Sequence, residues 1–141
     1  MADISYDPKY VQSGGLQVPA GGFMAAVLDT NVDNISATET WQALSVPAGA
    51  IVHEVGAVIL TAEGATMTID IGDGDDADGY LDGINGNSAS LTKSSREYES
   101  TQNAFDGGKY YASADTIDVL FNNDADTVKI LVFAFYSVPR I

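Results

Sequence analysis

The sequence predicts an all-β domain, an antiparallel β-sandwich that is jelly-roll-like in its strand order and is preceded by an extended N-terminal arm. Three observations lead there. Short apolar runs recur along the 141 residues, separated by gaps rich in Gly, Asn, Asp and Pro, at a spacing that suits a sandwich. Several of these runs alternate apolar and polar residues with a period of two, which sends one face to a core and the other to water. No window sustains a helical period; the best helical candidate, residues 94–104, is polar and reads as a short helix or a loop.

Taken in order, residues 1–22 show no sustained period and hold two prolines and several glycines, so they read as an arm, with Tyr6, Tyr10 and Leu16 as the side chains that would anchor it on a neighbouring surface. The early acids, with no apolar stretch behind them, do not make a secretory signal. The sandwich is assigned to residues 23–141. Its first run is 23–28. In 40–46, strict alternation puts Trp41 and Ala43 on one face and Leu44 and Val46 on the other. Residues 51–62 form a long run in which Gly56 marks a bulge or bend. Glu63-Gly64 then reads as a tight turn into 65–71, where Met67, Ile69 and Ile71 point one way and Thr66, Thr68 and Asp70 the other. Tyr110 and Tyr111, after Gly107-Gly108, start a further strand. In 116–122 the inward residues are Ile117, Val119 and Phe121. After the loop 122–126, the run 127–138 is apolar on both faces from Leu131 onward, as suits a strand covered on both sides or one whose outer face meets a partner. Seven or eight strands follow from this count. The tetrad Val-Pro-Ala-Gly occurs at 18–21 and 46–49, each time before a strand, and reads as a reused type I turn.

Composition narrows the function. Twenty acids against six bases give a net charge of −14, which repels nucleic-acid backbones and anionic membranes. There is no cysteine, so disulfides and thiolate metal sites are excluded. No apolar run is long enough for a membrane-spanning helix. With 45% apolar residues the charge does not signal disorder, and its first reading is a solvated, solubilising surface.

Six of the acids fall between Asp70 and Asp82 in a glycine-rich stretch, which has the ingredients of a calcium loop. The strict EF-hand template fails: with Asp78-Gly79 at the fifth and sixth positions, Gly74 takes the first place and Asn85 the twelfth, where an aspartate and a glutamate are needed. A weak calcium site on a sandwich loop, with Asp73, Asp75, Asp76, Asp78 and Asp82 as ligands, is the remaining metal reading; no other cofactor is indicated. His53 is the single histidine, mid-strand, and reads as a structural residue rather than a catalytic one. The Gly-x-Ser-x-Gly elbow, the phosphate-binding glycine loop with its lysine and the His-Glu-x-x-His motif are all missing, so the sequence does not read as an enzyme. Trp41, Tyr80, Tyr98, Tyr110 and Tyr111 are candidates for a carbohydrate platform, although aromatic residues serve cores and interfaces equally well.

Val46-Pro47-Ala48-Gly49-Ala50-Ile51-Val52, the apolar strand after it, Thr66-x-Thr68-Ile69-Asp70-Ile71-Gly72-Asp73-Gly74 and Asp76-x-Asp78-Gly79-Tyr80-Leu81-Asp82 together resemble small β-sandwich structural proteins of tailed bacteriophages, among the capsid decoration (cement) and other head-associated proteins. The resemblance spans about a quarter of the chain, residues 46–82, and weakly the last strand. It implies a virion protein on the outer capsid surface, bound to the major capsid protein, homo-oligomeric with a trimer favoured, and stabilising the shell. Tyr6, Tyr10 and Leu16 in the arm and Leu131, Phe133 and Phe135 in the last strand are then the expected interface residues. The alternative is a calcium-dependent or carbohydrate-binding module, such as a head-fibre or tail-adhesion component.

Overall fold

The computed structural model describes residues 20–94, 105 and 108–139. Nine strands run in chain order: β1 (Ala20–Asp29), β2 (Thr40–Val46), β3 (Ala50–Thr61), β4 (Thr68–Gly72), β5 (Leu81–Asn85), β6 (Leu91–Lys93), β7 (Lys109–Tyr111), β8 (Asp115–Phe121) and β9 (Lys129–Val138). They form two antiparallel sheets packed face to face, the all-β sandwich expected from the alternating runs. One sheet has the order β1-β9-β3-β6, with β7 also on β3; the other has β2-β8-β4-β5. Among the described strands β4 and β5 are the one consecutive pair that neighbour each other as a hairpin; β6 and β7 lie end to end along one edge of β3, on Gly56–Val58 and Ala50–Val52. Of the remaining consecutive pairs, each places its two strands in opposite sheets.

The core lies where the period-two pattern places it. Met67, Ile69, Ile71, Ile117, Val119 and Phe121 are fully buried, as expected, and they meet Val52, Val55, Ala57, Ile130, Val132 and Ala134 of the facing sheet. Each valine, isoleucine, methionine or phenylalanine among them stabilises the fold by about 1.5–3 kcal/mol when removed from water.

Where the structure departs from simple alternation, a bulge is the cause. In β2 the register against β8 slips at Ala43, so Trp41 packs against the same core as the buried Leu44 and Val46 rather than opposite to them. In β3 the register against β9 slips twice, at His53 and at Leu60, and the first slip places both His53 and Glu54 between the inward Val52 and Val55. Gly56 is not a bulge: it sits in regular register with Phe133, and an added Cβ would lie 2.2 Å from the Phe133 ring. The absent side chain is what lets that ring lie across β3. The turn at 46–49 is displaced by one residue from the expected type I turn. Ala50 N–H donates to Pro47 O at 3.2 Å, and Gly49, at φ +84°, takes the left-handed position that turn requires.

Glu63 differs most from its sequence reading. β3 and β4 belong to different sheets, so Glu63 sits in a crossover and not in a hairpin. It is buried, and its Oε2 accepts hydrogen bonds from the backbone N–H of Asp126, Thr127 and Val128 at 3.2, 3.0 and 2.8 Å. It thereby fastens the β3–β4 crossover to the β8–β9 crossover.

Candidate functional site

Two surfaces carry the residues singled out by sequence. The first is the outer face of the β1-β9-β3-β6 sheet. Because Ile130, Val132 and Ala134 fill the core, their alternates Leu131, Phe133 and Phe135 emerge on the other side of β9. Register sets Phe23 of β1 beside Phe135, Val27 beside Leu131, and Val58 of β3 on the far side of Leu131, with Leu91 of β6 beyond it. Phe23, Phe133 and Phe135 form a ring cluster with centroids 5.2–6.0 Å apart. Phe23 is 57% exposed, Leu91 61% and Phe135 45%. The two-sided apolar character of 131–135 was legible in the sequence; the contributions of Phe23, Val27, Val58 and Leu91 needed the strand order, which no local pattern carries.

Charge is unevenly distributed between the two outer faces. On the β1-β9-β3-β6 face the described charged residues are Asp29, Glu54, Lys93 and Lys129, two of each sign. The opposite face carries Asp70, Asp82 and Asp118 and, among the described residues, no base. There Asp70 accepts from Gly83 N–H at 2.7 Å and from Asn122 Nδ2 at 3.0 Å, and Asp118 accepts from the Thr116 hydroxyl at 2.6 Å. Burial pushes the Asp118 carboxyl up from its ordinary range, the Thr116 bond opposes this, and the charges of Asp115 and Asp73 add to the rise.

The second surface is the acidic loop between β4 and β5, which folds onto β7. Asp73 is buried there. Its Oδ1 accepts from the N–H of Asp75 and Asp76 at 2.9 and 3.1 Å, and its Oδ2 accepts from the Tyr111 hydroxyl at 2.8 Å and from the Lys109 ammonium. Lys109 also bonds Asp75 at 3.0 Å and lies 4.1 Å from the centroid of the Phe105 ring and 4.8 Å from that of Tyr111. The Tyr80 and Tyr111 hydroxyls meet at 2.8 Å. Burial works against ionisation of Asp73, but its bonds to Lys109, Tyr111 and the two backbone N–H groups outweigh it and hold the carboxyl below the usual range. The balance for Lys109 is similar: burial opposes its charge, Asp73 and Asp75 favour it, and its pKa is raised. Both tyrosines are pushed well above their ordinary value, first by burial.

Of the five residues read as calcium ligands, Asp73 and Asp75 come together, and the third carboxylate within 4.8 Å of both is Asp115, at the start of β8, which the sequence reading missed. Long-range pairing brings it there, so spacing could not have revealed it. Asp76, Asp78 and Asp82 form a separate group, in which the Asp78 carboxyl is raised by its hydrogen bond to Asp76, by some burial and by the charges of Asp76 and Asp82. The Lys109 ammonium occupies the place between Asp73 and Asp75 that a cation ligated by both would need. A cleft of about 390 Å³ beside this knot is lined by Asp75, Lys109, Tyr110, Tyr111 and the β7–β8 turn to Asp115.

The remaining sequence candidates separate in space. Tyr80 and Tyr111 are buried and Trp41 packs on the core, so of the described aromatic candidates Tyr110 alone is largely exposed, at 51%, and they do not form one platform. His53 Nε2 lies 2.8 Å from Ser137 Oγ, tying the bulge of β3 to β9, and among the described residues no carboxylate bonds its other ring nitrogen. Tyr6, Tyr10, Leu16 and Tyr98, and the candidate helix beyond Ser94, lie outside the described residues.

No protein-family model matches the sequence, and no curated protein matches it closely. Among solved structures, the fold is similar to a chain of the capsid of Helicobacter pylori bacteriophage KHP30, with a TM-score of 0.59 and 17% identity over 87% of this chain and 92% of that one. It is also similar to a chain of the capsid of Ralstonia phage GP4 (TM-score 0.60, 14% identity, 86% of each chain) and to one in the capsid asymmetric unit of cyanophage Pam1 (TM-score 0.56, 17% identity, 84% of this chain and 87% of that one). At these identities the likeness establishes the fold.

Proposed function

We propose that the chain is a structural protein of a bacteriophage virion, bound to the outer surface of the head, where it stabilises the shell built by the major capsid protein. The observation that supports this most is the likeness, over more than four-fifths of each chain, to three chains found in phage capsids. The near-equal coverage on both sides means that each of those chains is also little more than this sandwich. The strand order β1-β9-β3-β6 against β2-β8-β4-β5 is read as that of a jelly roll, an architecture that recurs in viral capsid domains. The acidic face of the β2-β8-β4-β5 sheet, which carries Asp70, Asp82 and Asp118 and no described base, suits the side of such a part that meets solvent. A homo-oligomer, with a trimer favoured, completes the reading. At the acidic loop the buried carboxylate, Asp73, is satisfied by protein donors.

The test is co-sedimentation of the purified chain with empty, expanded shells of its own phage. Saturable binding at micromolar protein, with a rise in the temperature at which the shells open, is expected. A chain that stays in the supernatant at saturating concentration refutes the decoration role.

A further inference from the structure

We infer that the outer face of the β1-β9-β3-β6 sheet is where a second copy of this chain packs. The inference does not depend on the capsid reading, because it concerns how the chain meets itself. Three observations carry it.

The first is contiguity. Phe23, Phe133 and Phe135 stack into one cluster, and Leu131, Val27 and Leu91 extend it across all four strands. From the exposures of these side chains and the ~150–250 Å² that an aromatic side chain can bury, the apolar surface offered is on the order of 500 Å². A standard interface takes ~800 Å² from each partner, about two-thirds of it apolar at its centre. The patch therefore matches the apolar centre of one such interface.

The second is charge. Two copies of a chain with net charge −14 repel one another wherever acids face acids. Among the described residues this face holds Asp29 and Glu54 against Lys93 and Lys129, whose formal charges cancel, whereas the opposite face holds Asp70, Asp82 and Asp118 with no described base. Self-association through the first face brings together the surfaces that repel least, and it leaves a Glu54 and a Lys93 on each copy available to pair across the contact.

The third is shape. Gly56 lacks the side chain that would lift the Phe133 ring away from β3: a Cβ there would meet the ring at 2.2 Å. The ring therefore lies across the strand and keeps the face low, as a sheet meeting another packed surface requires.

The experiment is light scattering on the full chain after size exclusion, over a dilution series through the micromolar range, with wild type, Phe135→Glu, Leu91→Glu and the control Gln42→Glu on the opposite sheet. Because Phe135 and Leu91 are exposed, melting curves close to wild type are expected for both, and having two variants keeps the test alive if one misfolds. The wild type and the control should form a defined oligomer. Each face variant should weaken it at least about thirtyfold, as loss of a central contact does. A monomeric wild type, or an oligomer indifferent to both face variants, overturns the inference. Variants that stay oligomeric but no longer sediment with shells also overturn it, because the shell is then the occupant. A monomer that still binds shells defeats this inference and the homo-oligomer of the proposed reading but leaves shell binding intact; an oligomer dispersed by the variants that never binds shells upholds this inference and defeats the decoration role.

Discussion

Replacing Glu63 by alanine should cost about 3 kcal/mol. Its Oε2 accepts three backbone N–H groups, of which that of Val128 is buried and those of Asp126 and Thr127 are partly buried. A buried donor left without a partner costs ~1–3 kcal/mol, and bonds to a charged acceptor sit at the upper end of the usual range. The Val128 donor alone accounts for about 2 kcal/mol on that scale, and the other two, which water can reach once the carboxylate is gone, for about 1 kcal/mol together. For a domain of this size, 3 kcal/mol corresponds to a fall in Tm of roughly 6–12 °C. Glu63→Gln keeps an acceptor oxygen and gives up the charge, so its cost should be near 1 kcal/mol. The assay is thermal unfolding followed by far-UV circular dichroism at neutral pH, on variants whose spectra match the wild type. An alanine variant melting within about 2 °C of wild type, or a glutamine variant as damaged as the alanine one, would show that the two crossovers do not depend on this carboxylate.

Asp73 should make stability dependent on acid. Its folded carboxyl lies below the ordinary aspartate value of 3.8, so its contribution is complete above that pH and disappears as pH falls through the lower folded value; the gap in urea stability between wild type and Asp73→Asn should close there and stay open at neutral pH. Lys109 acts in the opposite sense: its raised pKa keeps its contribution in place below 10.5 and removes it at higher pH, which the alkaline limb of the same titration tests. Millimolar calcium should leave Tm unchanged to within about a degree, because Lys109 already bonds Asp73 and Asp75; a rise of several degrees, reversed by chelator, would show that a cation displaces it. Gly56→Ala should destabilise by about 1–3 kcal/mol through its clash with Phe133, and Phe133→Leu in the same chain should restore part of the loss in urea unfolding.

The sequence made the strands legible wherever a single face is buried, because alternation is a local signal: Met67, Ile69 and Ile71, and Ile117, Val119 and Phe121, needed nothing more. It misled at Trp41, where one extra residue in a strand resets the phase without changing composition. Glu63-Gly64 resembled a turn because turn residues mark any reversal, and nothing local distinguishes a hairpin from a crossing between sheets. The acidic loop was visible as a cluster, but its chemistry depends on Lys109 and Asp115, which lie more than thirty positions away and arrive through β7 and β8. Leu131, Phe133 and Phe135 were readable as an outward row because both alternating sets of β9 are apolar; their neighbours on the face come from strands distant in sequence.

The place of β9 has a consequence for how the chain reaches its folded state. β9 is the last strand, yet it lies inside its sheet, paired along the whole length of β1 on one side and with β3 on the other. Until residues 129–138 have left the ribosome, β1 has no neighbour among the described strands and β3 lacks its longer one. The partly made chain must therefore carry Phe23, Val27 and an open β3 edge through synthesis without their partners. Folding of the sandwich is then a late event that awaits the final strand, slowed by the long loop that joining first to last must close, and a truncation that removes only β9 should yield an aggregating chain rather than a smaller domain.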